Sequence, residues 1–141
     1  MSVPPRPVEL TIASDLAEAR RVQAEIEHAL HAAGFSDHEI FAIRLALEEA
    51  LVNAIKHGNQ MDRAKNVRVV YHISPDRFEV EIADEGPGFD PGDVPDPTAV
   101  ENIERPCGRG LMLMRYYMTE VNFNGRGNSV RMAKVLRNGK K

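Results

Sequence analysis

The sequence is poor in several features that would place a small protein quickly. It has one cysteine, Cys107, in 141 residues. No internal disulfide can form, which fits a reducing compartment and a cytoplasmic location. No apolar run approaches the roughly 20 residues of a membrane-spanning helix, so no membrane association is expected. The opening MSVPPRPVEL lacks the apolar core of a secretory signal. Basic residues are not in excess: 18 Lys and Arg stand against 21 Asp and Glu, with a net charge of −3. That balance argues against a dedicated nucleic-acid binder. There is no G-x-x-x-x-G-K-[ST] motif, so a P-loop is excluded as a phosphate cradle. The histidines offer no zinc-ligand arrangement beyond His28 and His31, a pair that reads as helix surface. Cys107 has no assignable base and reads as non-catalytic.

The remaining composition, 43% hydrophobic and 28% charged, is that of one soluble globular domain. Residues 1–7 form a Pro-rich lead-in, and a single domain is expected over 8–137. Val8 to Ala13 alternates like a strand. Ser14-Asp15 offers an N-cap for a helix to about Ala33, which Gly34 stops. Ser36 and Glu39 form a capping box for a second helix, with Gly58 where a C′ glycine belongs. Val67 to Ile73 and Phe78 to Asp84 read as a hairpin about a Ser74-Pro75-Asp76-Arg77 turn. The segment Glu85 to Pro106 contains five of the nine prolines and one short helix candidate, Thr98 to Glu104. A loop of that length in a compact domain is usually functional or disordered. Gly108 to Met118 is an apolar helix pattern in which Met112, Met114 and Met118 suit the core. Glu120 to Phe123 and Asn128 to Leu136 close as a hairpin through Asn124-Gly125-Arg126-Gly127. The order β-α-α-β-β-loop-α-β-β predicts an α+β domain, with helices stacked on one face of a mostly antiparallel sheet.

Polar residues where the pattern calls for apolar ones are the informative positions. In the second helix Ile40, Ile43, Leu47, Leu51 and Ala54 share one face. Glu49, Asn53 and Lys56 share a stripe nearly opposite, flanked by Leu45, Ala46 and Val52, so the stripe suits a cleft. Periodicity alone fits a solvated face as well. Glu48 has Arg44 one turn earlier as an ordinary surface partner. In the strand Phe78, Val80 and Ile82 point one way, and parity sends Asp84 with them. An inward carboxylate costs free energy unless a donor meets it. Gly86 and Gly88 then permit close backbone approach, although D-x-G-x-G also describes a plain turn capped by Asp84. Gly108-Arg109-Gly110-Leu111 opens a helix whose free amides could receive a phosphate.

Taken in order, LEEALVNAIKHGN (Leu47 to Asn59), DEGPGF (Asp84 to Phe89) and GRGLMLM (Gly108 to Met114) resemble the N box and the two glycine boxes of the GHKL ATP-binding superfamily. The E-x-x-x-N spacing and small size most resemble the bacterial anti-sigma factor serine kinases, over roughly Val8 to Leu136. The resemblance implies the Bergerat ATP-binding fold, a two-layer α/β sandwich with a mostly antiparallel mixed sheet, and a lid over ATP at about 85–107. It implies that Asn53 coordinates Mg²⁺ bridging the triphosphate and that Glu49 is the general base for a substrate serine. Asp84 would accept a hydrogen bond from the adenine amino group, with Gly86 and Gly88 passing close to the base. Arg105 would meet the γ-phosphate, and Gly108, Arg109, Gly110 and Leu111 would bring amides to the phosphates, with Lys56 also on the nucleotide side. Family members often carry Thr where this sequence has Asn128, whose parity with Val130 and Met132 would let it substitute. The implied function is a partner switch. The protein would hold a sigma factor and phosphorylate a serine of a STAS-domain antagonist, which adds about −1.5 to −2 charge. Homodimerisation through the first strand and helix is common in that family. A nucleotide-gated binding module without kinase output would share nearly all these residues.

Overall fold

The structure, a computed structural model, describes residues 6–86, 106–124 and 128–136, with backbone alone over 106–111. Its elements run β1 (Val8–Ala13), α1 (Leu16–Ala32), α2 (Asp37–Val52), a π-helical turn (Asn53–Gly58), β2 (Asn66–Ser74), β3 (Arg77–Ala83), α3 (Pro106–Tyr117), β4 (Glu120–Phe123) and β5 (Ser129–Val135). The strands form one sheet in the order β1-β2-β3-β5-β4, and all four pairings are antiparallel.

Register follows the alternation in the sequence. Leu10 pairs with Val69, Val69 with Ile82, and Ile82 with Val130, so one face carries a continuous apolar row. Val67, Val69, Phe78, Val80, Ile82 and Met132 on that face are buried, each removing apolar area worth about 1.5–3 kcal/mol from water. The opposite face carries Glu9, Arg68, Glu79, Glu81 and Arg131. Arg68 Nε lies 2.7 Å from Glu9 Oε2, and Ser129 Oγ donates to Glu81 Oε2 at 3.1 Å. The helices cover the apolar face only. α1 contributes Ala19, Val22, Ile26 and Leu30 at i, i+3, i+4 spacing. α2 lies between α1 and α3, so burial reaches beyond the expected stripe to Ala42, Ala46 and Ala50.

The helix ends follow their capping residues. Asp15 is the N-cap of α1, accepting from Ala17 N–H, and Ser14 is buried in another role. At the C-terminus Gly34 takes φ +91°, and bonds from Phe35 N–H to Leu30 O and from Gly34 N–H to His31 O make a Schellman closure. Both arms of the Ser36–Glu39 capping box are formed.

Three local expectations are corrected. Arg44 does not serve Glu48; its Nε reaches Glu27 of α1 at 3.2 Å, because α1 packs alongside. The second helix does not run as an α-helix to Gly58 but widens after Val52, and Asn59 N–H bonds Ala54 O five residues back. Gly58 is therefore no left-handed C′ residue. Gln60 and Met61, at φ 54° and 60°, make that reversal.

Candidate nucleotide-binding site

Asp84 follows the last residue of β3 and is half-buried on the helix side, as strand parity predicts. Its Oδ1 accepts Gly86 N–H at 2.7 Å. The space around the carboxylate exists because two neighbours lack side chains. A Cβ on Gly58 would stand 2.3 Å from Asp84 Cγ, and one on Gly86 would stand 2.0 Å from Gly58 O. The glycine at 58 is thus a matter of volume, whereas the expected reason was backbone conformation. Burial holds the Asp84 carboxyl above the ordinary carboxylate range, against smaller opposing effects of Gly86 N–H and the Lys65 charge. A desolvated acceptor against bare backbone is a receptor for a neutral donor such as an exocyclic amine.

The backbone at Asp84 is held from both sides. Asp84 N–H donates to Asn128 O at 2.9 Å, and Glu85 N–H to Asn59 Oδ1 at 2.8 Å. Asn128 also sends Nδ2 to Gly86 O at 3.2 Å and is bonded to Asn124 on its other side. Its amide supports the turn, a structural use of the position expected to touch adenine. Asn59, which closes the N-box segment, has no role assigned by the motif pattern. It is 0% exposed, a polar residue where the buried face of the helix continues from Ile55, and that mismatch was the available signal.

Glu49 and Asn53 are both half-buried and one turn apart, Asn53 being the first residue of the π-helical turn. Glu49 is engaged with another group of the chain. A π-bulge at this point suits a working site, where such widened turns are frequent. Lys56 is exposed and lines the groove between α1 and α2 with Arg20, Glu27 and Glu48, apart from the Asp84 cradle. Among the described residues no cluster of three or more His, Cys, Asp or Glu could hold a metal unaided. The oxygen donors of Asn53 and Glu49 fit Mg²⁺ only as partners to phosphate and water ligands, which is how that ion is usually bound.

α3 is described from Pro106 to Tyr117 and includes the expected Gly108-to-Met118 pattern up to Tyr117. The side chains of Arg109 and Leu111, and Gly88, Arg105, the 98–104 helix candidate and most of the expected lid, lie outside the described residues.

Residues 12–134 match the model of the histidine kinase-like ATPase domain. The serine-protein kinase RsbW of Bacillus subtilis is 34% identical over 110 residues, covering 73% of this chain and 69% of that protein. The serine-protein kinase RsbW of Listeria innocua is 32% identical over 114 residues, covering 74% and 71%. A solved structure of the RsbU and RsbW domains of a Mycobacterium tuberculosis protein superposes with a TM-score of 0.64 at 19% identity. It covers 95% of this chain, which spans only 33% of that larger one, and it supports the fold. The chain belongs to the histidine kinase-like ATPase domain family and, within it, to the family of the serine-protein kinase RsbW.

Proposed function

We propose that the protein is an ATP-dependent protein-serine kinase acting as an anti-sigma factor. It would hold a sigma factor and phosphorylate a serine of a STAS-domain antagonist. The observation that carries ATP binding is Asp84 packed between Gly58 and Gly86, a desolvated acceptor set directly against bare backbone. Kinase output is supported by the serine-protein kinases of the same family. From Gly58 back to Glu49 the helix covers about 13 Å at roughly 1.5 Å per residue, the scale of a nucleoside triphosphate. Adenine would sit at Asp84, the phosphates near Asn53, and the reacting end at Glu49.

In this reading Asp84 accepts a hydrogen bond from the adenine amino group. Asn53 presents its amide oxygen to Mg²⁺, which supplies charge neutralisation on the triphosphate. Glu49 takes the proton of the substrate serine as its Oγ bonds to the γ-phosphorus, while the bond to the β,γ-bridging oxygen breaks and ADP leaves. Positioning and electrostatics are most of what phosphoryl transfer asks of a protein. The lid at about 85–107, with Arg105 and Gly88, would close over the nucleotide, and the first turn of α3 would meet the phosphates. β1 pairs on one side only within the described sheet, which leaves an edge for a homodimer.

The test mixes the protein with Mg²⁺, γ-labelled ATP and the STAS-domain proteins of the same genome. Phosphoserine on one of them, lost with Glu49→Ala while ATP binding persists, is the expected result. ATP binding that depends on Asp84 with no transfer to any candidate would instead indicate a nucleotide-gated binding module. Absence of nucleotide binding would sink both readings.

A further inference from the structure

The strongest unassigned feature is the buried carboxamide of Asn59. Its Nδ2 donates to Ser14 Oγ at 2.9 Å and to Asn66 O at 3.0 Å, and its Oδ1 accepts Glu85 N–H at 2.8 Å. Ser14 is itself 1% exposed, and its hydroxyl donates to Lys65 O at 2.7 Å. The amide has one workable orientation. Turned over, its oxygen would face Asn66 O and the lone pairs of Ser14 Oγ, and its nitrogen would face an N–H. Among the described residues no buried side-chain polar atom lacks a partner, so this network is complete.

Its position gives it a task. The Glu85 N–H belongs to the peptide that leaves Asp84, so the Asn59 bond fixes the rotation of the chain after the Asp84 Cα. Asn128 O holds the N–H before it, and Gly86 N–H holds the carboxylate itself. Asn59 alone among these comes from the end of the π-helical turn, beside the Gly58 carbonyl against which Gly86 packs. It therefore ties the end of the helix layer to the strand end that carries Asp84.

We propose that Asn59 is a positioning residue for base recognition: through Glu85 N–H it fixes the aim of the Asp84 carboxylate and so sets the preference for an adenine over a base bearing a carbonyl at the same point. This rests on the proposed ATP reading. Glu85 has a second tie, its Oε2 accepting Asn66 N–H at 2.6 Å, so losing Asn59 loosens the turn without freeing it.

The experiment measures equilibrium binding of Mg-ATP and Mg-ITP to the wild type, Asn59→Leu and Ser14→Ala, each shown folded by circular dichroism. Inosine offers a carbonyl where adenine offers an amine. The wild type should prefer ATP. Asn59→Leu should bind ATP about ten-fold more weakly, the usual scale of a lost buried hydrogen bond, with the ATP-to-ITP ratio collapsing toward one. Ser14→Ala disturbs the same network but leaves the Glu85 bond, and should keep the ratio within about two-fold of wild type. A purely architectural role would weaken both nucleotides equally and preserve the ratio in every folded variant, which would overturn the proposal. So would a ratio that falls as far in Ser14→Ala. Wild-type protein indifferent to the base would remove the adenine reading itself. Should Asn59→Leu not fold, amide hydrogen exchange of the wild type decides: a protected Glu85 N–H supports the tether, and exchange at the rate of an unstructured peptide refutes it.

Discussion

At the scale of single residues, Asp84 shows what a binding site costs the fold. Its carboxyl is held above the ordinary range by burial, so the native state favours the protonated form more than the unfolded chain does. Such a group destabilises the native state at neutral pH, and the penalty disappears as pH falls through the raised native value. Asp84→Asn should therefore unfold at the same temperature as wild type or higher at pH 7, with the gap closing in acid. Nucleotide binding should be lost. Calorimetry across pH 3 to 7 with and without Mg-ATP checks both halves, and a marked loss of stability at pH 7 would contradict the account. The direction of this side chain was legible, because strand parity is strict and Phe78, Val80 and Ile82 fix the inward side. Asn59 was not legible. A polar residue after a glycine reads as loop, and only the fold shows that Ser14, Asn66 and Glu85 converge on it from three separate stretches of chain.

At the scale of elements, capping chemistry was the most transparent part of the sequence. Ser36, Glu39 and Gly34 each act where local rules place them. Ser36→Ala should cost about 1 kcal/mol, the usual worth of an N-cap side chain, seen as a lower denaturation midpoint with the slope unchanged. The end of the second helix was harder. Widening to a π-helical turn after Val52 leaves no mark in a hydrophobic pattern, since Ala54 and Ile55 are buried either way. Gly58 consequently suggested a helix stop when its real constraint is the Asp84 carboxylate.

At the scale of the molecule, the helix layer and the two hairpin pairings, β2 with β3 and β4 with β5, follow from alternation and connection length, whereas β1 with β2 and β3 with β5 join distant stretches whose pairing no local pattern announces. One face of the sheet is apolar and the other is laced with ion pairs. Several of those pairs are exposed, so salt should alter stability little. A ligand that binds only the folded chain raises its stability by about 2.7 kcal/mol at a hundred times its dissociation constant. Mg-ATP should accordingly raise the melting temperature of the wild type and leave that of Asp84→Asn unchanged. Alkaline titration supplies a second global readout. Tyr71, buried beneath α1 and donating to Glu25 Oε2 at 3.1 Å, has its phenol pushed up to about 12, chiefly by burial. Its contribution is fully present below pH 10 and is lost as pH rises through 12. Urea midpoints should fall across that window more steeply for wild type than for Tyr71→Phe. The pairing of β1 with β2 has a kinetic consequence. Val8 meets Tyr71 and Ala13 meets Asn66, so both α1 and α2 must be looped out before the first strand can dock. Closing that loop charges its entropy in advance of any reward. Refolding should then run on the slow, millisecond-to-second side for a domain of this size, with the edge strand and its Ser14 latch arriving last.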